Sequence, residues 1–97
     1  MAYEKIVFPF KDSDEVLDYV LDWSARLGSD TIATSEWAFA VDPDYALNID
    51  SEEESATTTT IWLSGGTPGQ TYEITNHIVT AGGREMEQTA KIKIKEK

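Results

Sequence analysis

The residues of this chain able to do chemistry are few and scattered. His77 is the only histidine, and there is no cysteine. A histidine acting as a general base needs an oriented nucleophile and an orienting acid within hydrogen-bond reach. No serine stands in a Gly-x-Ser-x-Gly elbow, and His77 falls on the outward register of an alternating stretch, where it reads as an exposed strand residue. Three acidic runs offer oxygen ligands of the kind Ca²⁺ takes: Asp12-Ser13-Asp14-Glu15, Asp42-Pro43-Asp44 and Asp50-Ser51-Glu52-Glu53-Glu54. None has the ligand spacing of an EF-hand, and runs of this kind commonly solvate loops. No cleft can be inferred that would hold a pair of carboxylates for glycoside hydrolysis. Gly65-Gly66-Thr67-Pro68-Gly69 lacks the Lys-Ser/Thr of a phosphate loop and loses an amide donor at Pro68, so turn geometry accounts for it. The expectation is a non-enzymatic protein with no catalytic residue, no cofactor and no metal.

The elements that would carry these residues read as β-structure. Thr31 to Val41 alternates Ala33, Ser35, Trp37, Phe39 and Val41 against Ile32, Thr34, Glu36, Ala38 and Ala40. Asp42-Pro43-Asp44 breaks it, a short strand around Tyr45 to Ile49 follows, and residues 50–55 read as a solvated acidic loop. Four threonines leading into Ile61-Trp62-Leu63 form a stiff β-branched run that favours a strand. Beyond the glycine-rich turn, Tyr72, Ile74, Asn76 and Ile78 share one face, and Ala90, Ile92 and Ile94 share another with Lys91, Lys93 and Lys95 opposite. Outward lysines on a terminal strand also discourage edge-to-edge pairing.

Residues 16–27 admit two readings. A helix places Val16, Tyr19, Val20, Trp23 and Leu27 on one stripe, with Ser13 or Asp14 as N-cap. A strand places Leu17, Tyr19, Leu21, Trp23, Ala25 and Leu27 on one face, and its alternation breaks only at Val20. Because everything downstream is β-like, the strand is preferred. Residues 1–12 read as an N-terminal arm and residues 13–97 as a single domain. The pattern of about seven short antiparallel strands, with turns every eight to twelve residues, is that of an immunoglobulin-like β-sandwich, an all-β fold. Tyr72, just after the glycine-rich corner that follows Leu63, stands where a tyrosine corner would send its hydroxyl back to upstream backbone.

Composition narrows the partners. The chain has 97 residues, eight Lys plus Arg against eighteen Asp plus Glu, and a formal charge of −10. Such a balance argues against nucleic acid, whose phosphates need bases, and against anionic membranes. Residues 1–55 hold fourteen acids and three bases, residues 56–97 four acids and five bases, an asymmetry that bears on partner choice. The start of the chain reaches Pro9 without a basic region followed by a long apolar run, so no cleaved leader is expected. Trp23 and Trp37 fit inward faces. Trp62 shares a face with Thr58 and Thr60; exposed, it would anchor an interface, and partial burial beneath a loop is the other reading. Trp62 and the acids Asp42, Asp44, Glu52, Glu53 and Glu54 are the candidate partner-binding residues.

The segment from Lys11 to Trp37, centred on Asp18-Tyr19-Val20-Leu21-Asp22-Trp23-Ser24, resembles a family of small tailed-bacteriophage virion proteins. Trp62-Leu63-Ser64-Gly65-Gly66-Thr67-Pro68-Gly69-Gln70-Thr71-Tyr72 and residues 76–84 are similar to the same family, the short Ig-like phage fibre-tail adaptor proteins. The likeness covers most of residues 9–95 and departs from the pattern over 38–55. It implies a structural role: several copies in a symmetric assembly in the virion tail, put together in the host cytoplasm, joining tube or nozzle to fibres and contacting other virion proteins. It supplies no catalytic residues. Two competitors are a capsid decoration protein and an Ig-like carbohydrate- or cell-surface-binding module. The two termini, residues 1–10 and 91–97, would reach along a neighbouring subunit and become ordered only in the assembly.

Overall fold

The structure is a computed structural model and describes residues 5–40, 44 and 46–97. In chain order the elements are β1 (Ile6–Val7), β2 (Val16–Asp22), the single helical turn α1 (Ser24–Leu27), β3 (Ile32–Phe39), β4 (Leu47–Glu54), β5 (Thr58–Gly65), β6 (Thr71–Thr80) and β7 (Glu85–Lys93). Two sheets face each other, one in the order β1-β7-β6-β3 and the other β2-β5-β4. The triplets β7-β6-β3 and β2-β5-β4 reproduce the two-sheet strand order of an immunoglobulin sandwich. All pairings are antiparallel except β1 on β7, which is parallel.

Alternation explains the core. β6 buries Tyr72, Ile74, Asn76, Ile78 and Thr80, β7 buries Gln88, Ala90 and Ile92, and β5 buries Thr59, Ile61 and Leu63, each turning the intervening residues outward. One buried polar chain ties the sheets together. Trp23 Nε1 donates to Thr59 Oγ1 at 3.1 Å and to Asn76 Oδ1 at 3.0 Å, and the Asn76 amide donates to Ser35 Oγ at 2.9 Å and to the Glu36 carbonyl at 3.0 Å. Buried polar atoms need such partners, because an orphaned one forfeits its hydration.

Three expectations are corrected. Residues 16–22 are a strand with Tyr19 and Leu21 buried, but residues 24–27 are a helical turn. Asp22 Oδ1 accepts the Ser24 N–H, the Arg26 and Leu27 N–H groups close on the Trp23 carbonyl at 2.9 Å, and Gly28 ends the turn at φ 64°. That turn places Trp23 and Leu27, four residues apart, on the same buried side. Residues 50–54 are not a loop but most of β4, paired with β5 as Glu52↔Ile61, Glu53↔Thr60 and Glu54↔Thr59. Tertiary pairing here overrides the poor strand propensity of glutamate. The preceding short strand begins at Leu47, and Tyr45 lies outside the described residues.

The third correction concerns the termini. From Ile6 onward the N-terminal arm lies on the sandwich: Phe8 is buried and stacks on Tyr19 with centroids 4.6 Å apart, and Tyr19 Oη donates to the Pro9 carbonyl at 3.3 Å. Lys11 is fully buried, its Nζ donating to the carbonyls of Asp12 at 2.9 Å and Gly65 at 2.6 Å. Burial pulls the Lys11 ammonium below the ordinary lysine range, against the opposing pull of Glu15 and Asp12. Residues 91–94 are equally engaged, with Phe8 and Lys11 N–H groups bonded to the carbonyls of Lys91 and Lys93. With β1 on its far side, β7 is not an edge strand, so its lysines do not guard one.

Candidate interaction face

The outer face of the three-stranded sheet follows from the inward set of β5. Because Thr59, Ile61 and Leu63 point in, Thr58, Thr60, Trp62 and Ser64 point out along the central strand. β2 sets Asp18 opposite Trp62, Val20 opposite Thr60 and Val16 opposite Ser64; β4 sets Ser51 opposite Trp62 and Glu53 opposite Thr60. Val16 is 57% exposed and Val20 53%, and Trp62 is half-buried among them. Directly opposite and diagonal neighbours on one sheet face are within reach of a ring as large as indole. The result is a small apolar stripe, Val16, Val20 and Trp62, bordered by threonines and carboxylates.

Charge is divided unevenly between the sheets. The strands β2, β4 and β5 contain Asp18, Asp22, Asp50, Glu52, Glu53 and Glu54 and no Lys or Arg. The four-stranded sheet contains Glu36, Glu73, Glu85 and Glu87 together with Lys91, Lys93 and His77. The side chains of Glu53 and Glu54 are exposed and make no hydrogen bond or ion pair among the described residues; Glu53 shares the outward register of Thr60, and Glu54 the inward register of Thr59. Glu52 is exposed but its Oε1 accepts the Trp37 N–H at 3.1 Å, linking the edge of one sheet to that of the other. Asp50 Oδ1 accepts the Ser64 hydroxyl at 2.9 Å.

Of the other two sequence candidates, Asp42 lies outside the described residues and Asp44 belongs to the glycine-rich corner. Tyr72 Oη accepts the Thr67 backbone N–H at 3.0 Å and donates to Asp44 Oδ1 at 2.7 Å; Thr67 Oγ1 donates to Asp44 Oδ2 at 2.7 Å. The ring itself is buried. This is the tyrosine corner that the sequence predicts, with a carboxylate added. The Thr67 hydroxyl, the Ala46 N–H and the Tyr72 hydroxyl hold the Asp44 carboxyl below the ordinary carboxylate range. The corner needs glycine because Gly66 sits at φ 107° and a Cβ there would lie 2.6 Å from Ile94.

His77 is on the outer face of the four-stranded sheet, with Nδ1 3.0 Å from Glu87 Oε2 and Nε2 3.1 Å from Glu85 Oε1. Glu87 first, then Glu85, raise its pKa above the ordinary 6.5, opposed by partial desolvation. Thr34, Ser35, Glu36, Val79 and Glu85 surround it in a shallow concavity of about 310 Å³. Neither ring nitrogen addresses a serine or threonine hydroxyl, so the arrangement is an ion-paired surface histidine. Away from that histidine, Asp12, Asp14 and Glu96 bring carboxylate oxygens within 4.8 Å of one another. Asp12 and Glu96 already accept backbone N–H groups there, from Asp14, Lys97 and Ser13.

Comparison with known proteins settles the family. The family model described as Podophage GP4 fiber-tail adaptor protein gp77 matches residues 11–93. The chain belongs to this family. No curated protein sequence matches it. Among solved structures it is similar to the solution structure of the PKD domain from KIAA 1837 protein, at 18% identity and a TM-score of 0.52, over 97% of this chain and 80% of that one. At that identity the likeness bears on the fold alone, and it is to an Ig-like β-sandwich.

The fiber-tail adaptor match begins at the buried Lys11 and spans every strand from β2 to β7, so both the candidate interaction face and the tyrosine corner fall inside it. It indicates a structural protein of a phage tail. Among the described residues no helix is long and apolar enough to cross a membrane. Trp62 shares the face of Thr58 and Thr60 that the sequence assigns to it, whereas the sequence candidates leave out Val16 and Val20 beside it. The signal was the break in alternation at Val20: an apolar residue in the outward register of a strand is a residue exposed on the surface.

Proposed function

We propose that this fiber-tail adaptor is a non-enzymatic link that joins the tail tube or nozzle to the tail fibres and docks through the outer face of β2-β5-β4. The observation that carries the reading is the coincidence of an outward Trp62 and two exposed valines with the sheet that has six acids and no base. Tryptophan in a partly desolvated setting is a common anchor of binding energy, and a one-sign rim steers a partner of opposite charge and sets its register. The complementary surface is therefore an apolar pocket ringed by Lys and Arg on another virion protein. Glu53, opposite the outward Thr60 and with no side-chain partner among the described residues, supplies the rim together with Asp18 and Asp22 of β2; Glu52 and Glu54 share the register of the inward Ile61 and Thr59 and lie at the sheet edge. Asp44, held by Tyr72 and Thr67, serves the corner.

Such docking requires no catalytic group and no cofactor, and repetition of the domain around the tail would give a symmetric set of fibre sockets. Gold-labelled antibody imaging of purified virions tests it. Label at the tail or fibre base is the expected result, and label spread over the head would replace the adaptor role with capsid decoration.

A further inference from the structure

The sandwich has four strand edges, and they are not equally guarded. Native sheets blunt their edges by shortness, bulges, charge or cover, because an open edge is a template for another strand. β1 is two residues long. β3 carries an irregularity between Ile32 and Thr34, and its Trp37 N–H is taken by Glu52. β4 is irregular between Ile49 and Ser51 and is lined by Asp50, Glu52, Glu53 and Glu54. β2 differs from all three. It pairs with β5 over seven consecutive residues in unbroken register, contains no glycine or proline, and has no strand on its other side. Among the described residues no backbone N–H or carbonyl of residues 16–22 bonds to anything beyond that pairing.

Resting on the adaptor reading, we propose that the free edge of β2 receives an extended segment of the partner as an added strand, extending the three-stranded sheet to four. Main-chain hydrogen bonds would supply affinity and alternate side chains the selectivity. The outward residues of β2 are Val16, Asp18, Val20 and Asp22, an apolar-acid-apolar-acid row. Directly opposed side chains on an antiparallel pair interact, favourably for opposite charges and for apolar pairs. The incoming strand is thus one whose outward positions alternate an apolar residue with Lys or Arg, placing a base at every fourth residue. The pattern reads the same in both strand directions. Trp62, directly across from Asp18 on the inner neighbour, continues the same surface. A second copy of this chain is a poor occupant, because pairing β2 with β2 gathers Asp18 and Asp22 of both molecules on one face between two domains of charge −10.

The test is a titration of the ¹⁵N-labelled full chain with a short synthetic peptide in which threonine alternates with lysine and valine in turn. The control is the same peptide N-methylated on the amides along one edge. Strand addition predicts shifts and slowed exchange at alternate amides of residues 16–22 and at the Trp62 indole. It also predicts about tenfold weaker binding by the methylated peptide, which keeps its charge but loses backbone donors, and weakening by the pair Asp18→Lys and Asp22→Lys. Equal binding of both peptides, or shifts confined to Glu52, Glu53 and Glu54, would overturn the proposal in favour of simple charge attraction. A doubled mass for the chain alone with the β2 amides protected would overturn it in favour of a second copy. The virion label tests the adaptor reading separately: label at the fibre base with no β2 response removes only strand addition.

Discussion

The two sheets share one core and one rule of alternation, yet they turn different surfaces to the outside. The four-stranded sheet presents Glu36, Glu73, Glu85 and Glu87 interleaved with His77, Lys91 and Lys93, and several of these pair with one another: His77 with Glu85 and Glu87, and Glu73 with Lys5 from outside the sheet. The three-stranded sheet presents Asp18, Asp22 and Glu53, with no basic partner among the described residues, around Val16, Val20 and Trp62. A surface that interleaves acids with bases, some of them already paired, has less to gain from a partner. A surface of one sign around exposed apolar side chains has unsatisfied interactions to offer. The division of labour follows from strand sequence alone, because outward residues do not enter the core and are free to differ between the sheets.

The largest effect should come from breaking what the sheets share. Trp23→Ala removes a buried ring and leaves Asn76 and Thr59 without its indole donor, and should cost about 3–5 kcal/mol in a denaturant melt. Both faces would be lost together. Trp62→Ala should separate them: stability within about 0.5 kcal/mol of the parent, but association with the tail partner weakened by about 2 kcal/mol or more, roughly thirtyfold. His77→Gln on the opposite face should leave association unchanged, and an equal loss from both substitutions would erase the distinction between the sheets.

Tyr72→Phe probes the corner that joins β5 to β6 across the two sheets. It removes the acceptor of the Thr67 N–H and one donor to Asp44, and should lower stability by about 1–2 kcal/mol without altering the β-type circular dichroism. A neutral result would mean that the corner is held by Asp44 and Thr67 alone. The smallest effects are in pH dependence, and they lie at opposite ends of the scale. His77 has a folded pKa above 6.5, so its contribution is fully present below 6.5 and is lost as pH rises through the folded value. Asp30 is held at about 2 by the Thr80 hydroxyl first and then by the Thr31 and Gly82 N–H groups and Arg84. Its contribution is present above 3.8 and is lost as pH falls towards 2. His77→Gln should flatten the neutral limb of a melting-temperature profile, and Asp30→Asn the acidic limb.

What could be read in the sequence was what alternation encodes. β6 and β7 show their inward sets directly, Trp23 and Trp37 are both buried as expected, and the spacing of Tyr72 behind two glycines announces its corner. What escaped was whatever depends on a neighbour. Glu52, Glu53 and Glu54 form a strand only because β5 offers a ladder beside them. The inward register of Ile32 and that of Trp37 have opposite parity, and the irregularity between Ile32 and Thr34 reconciles them. The arm from Ile6 to Lys11 is apolar and short, and its docking depends on β7 and on the Gly65 carbonyl, both far along the chain. The candidate interaction face was half legible: Trp62 through its place among threonines, and Val20 as an unexplained exception in an otherwise regular strand.

The most direct measurement is an electron cryo-microscopy reconstruction of the tail with this protein in place. The account predicts a neighbouring subunit against the outer face of β2, β5 and β4, with Trp62 buried in the contact, basic side chains near Asp18 and Glu53, and the His77 face open. A neighbour seated on His77, Glu85 and Glu87 with Trp62 left in solvent would contradict it.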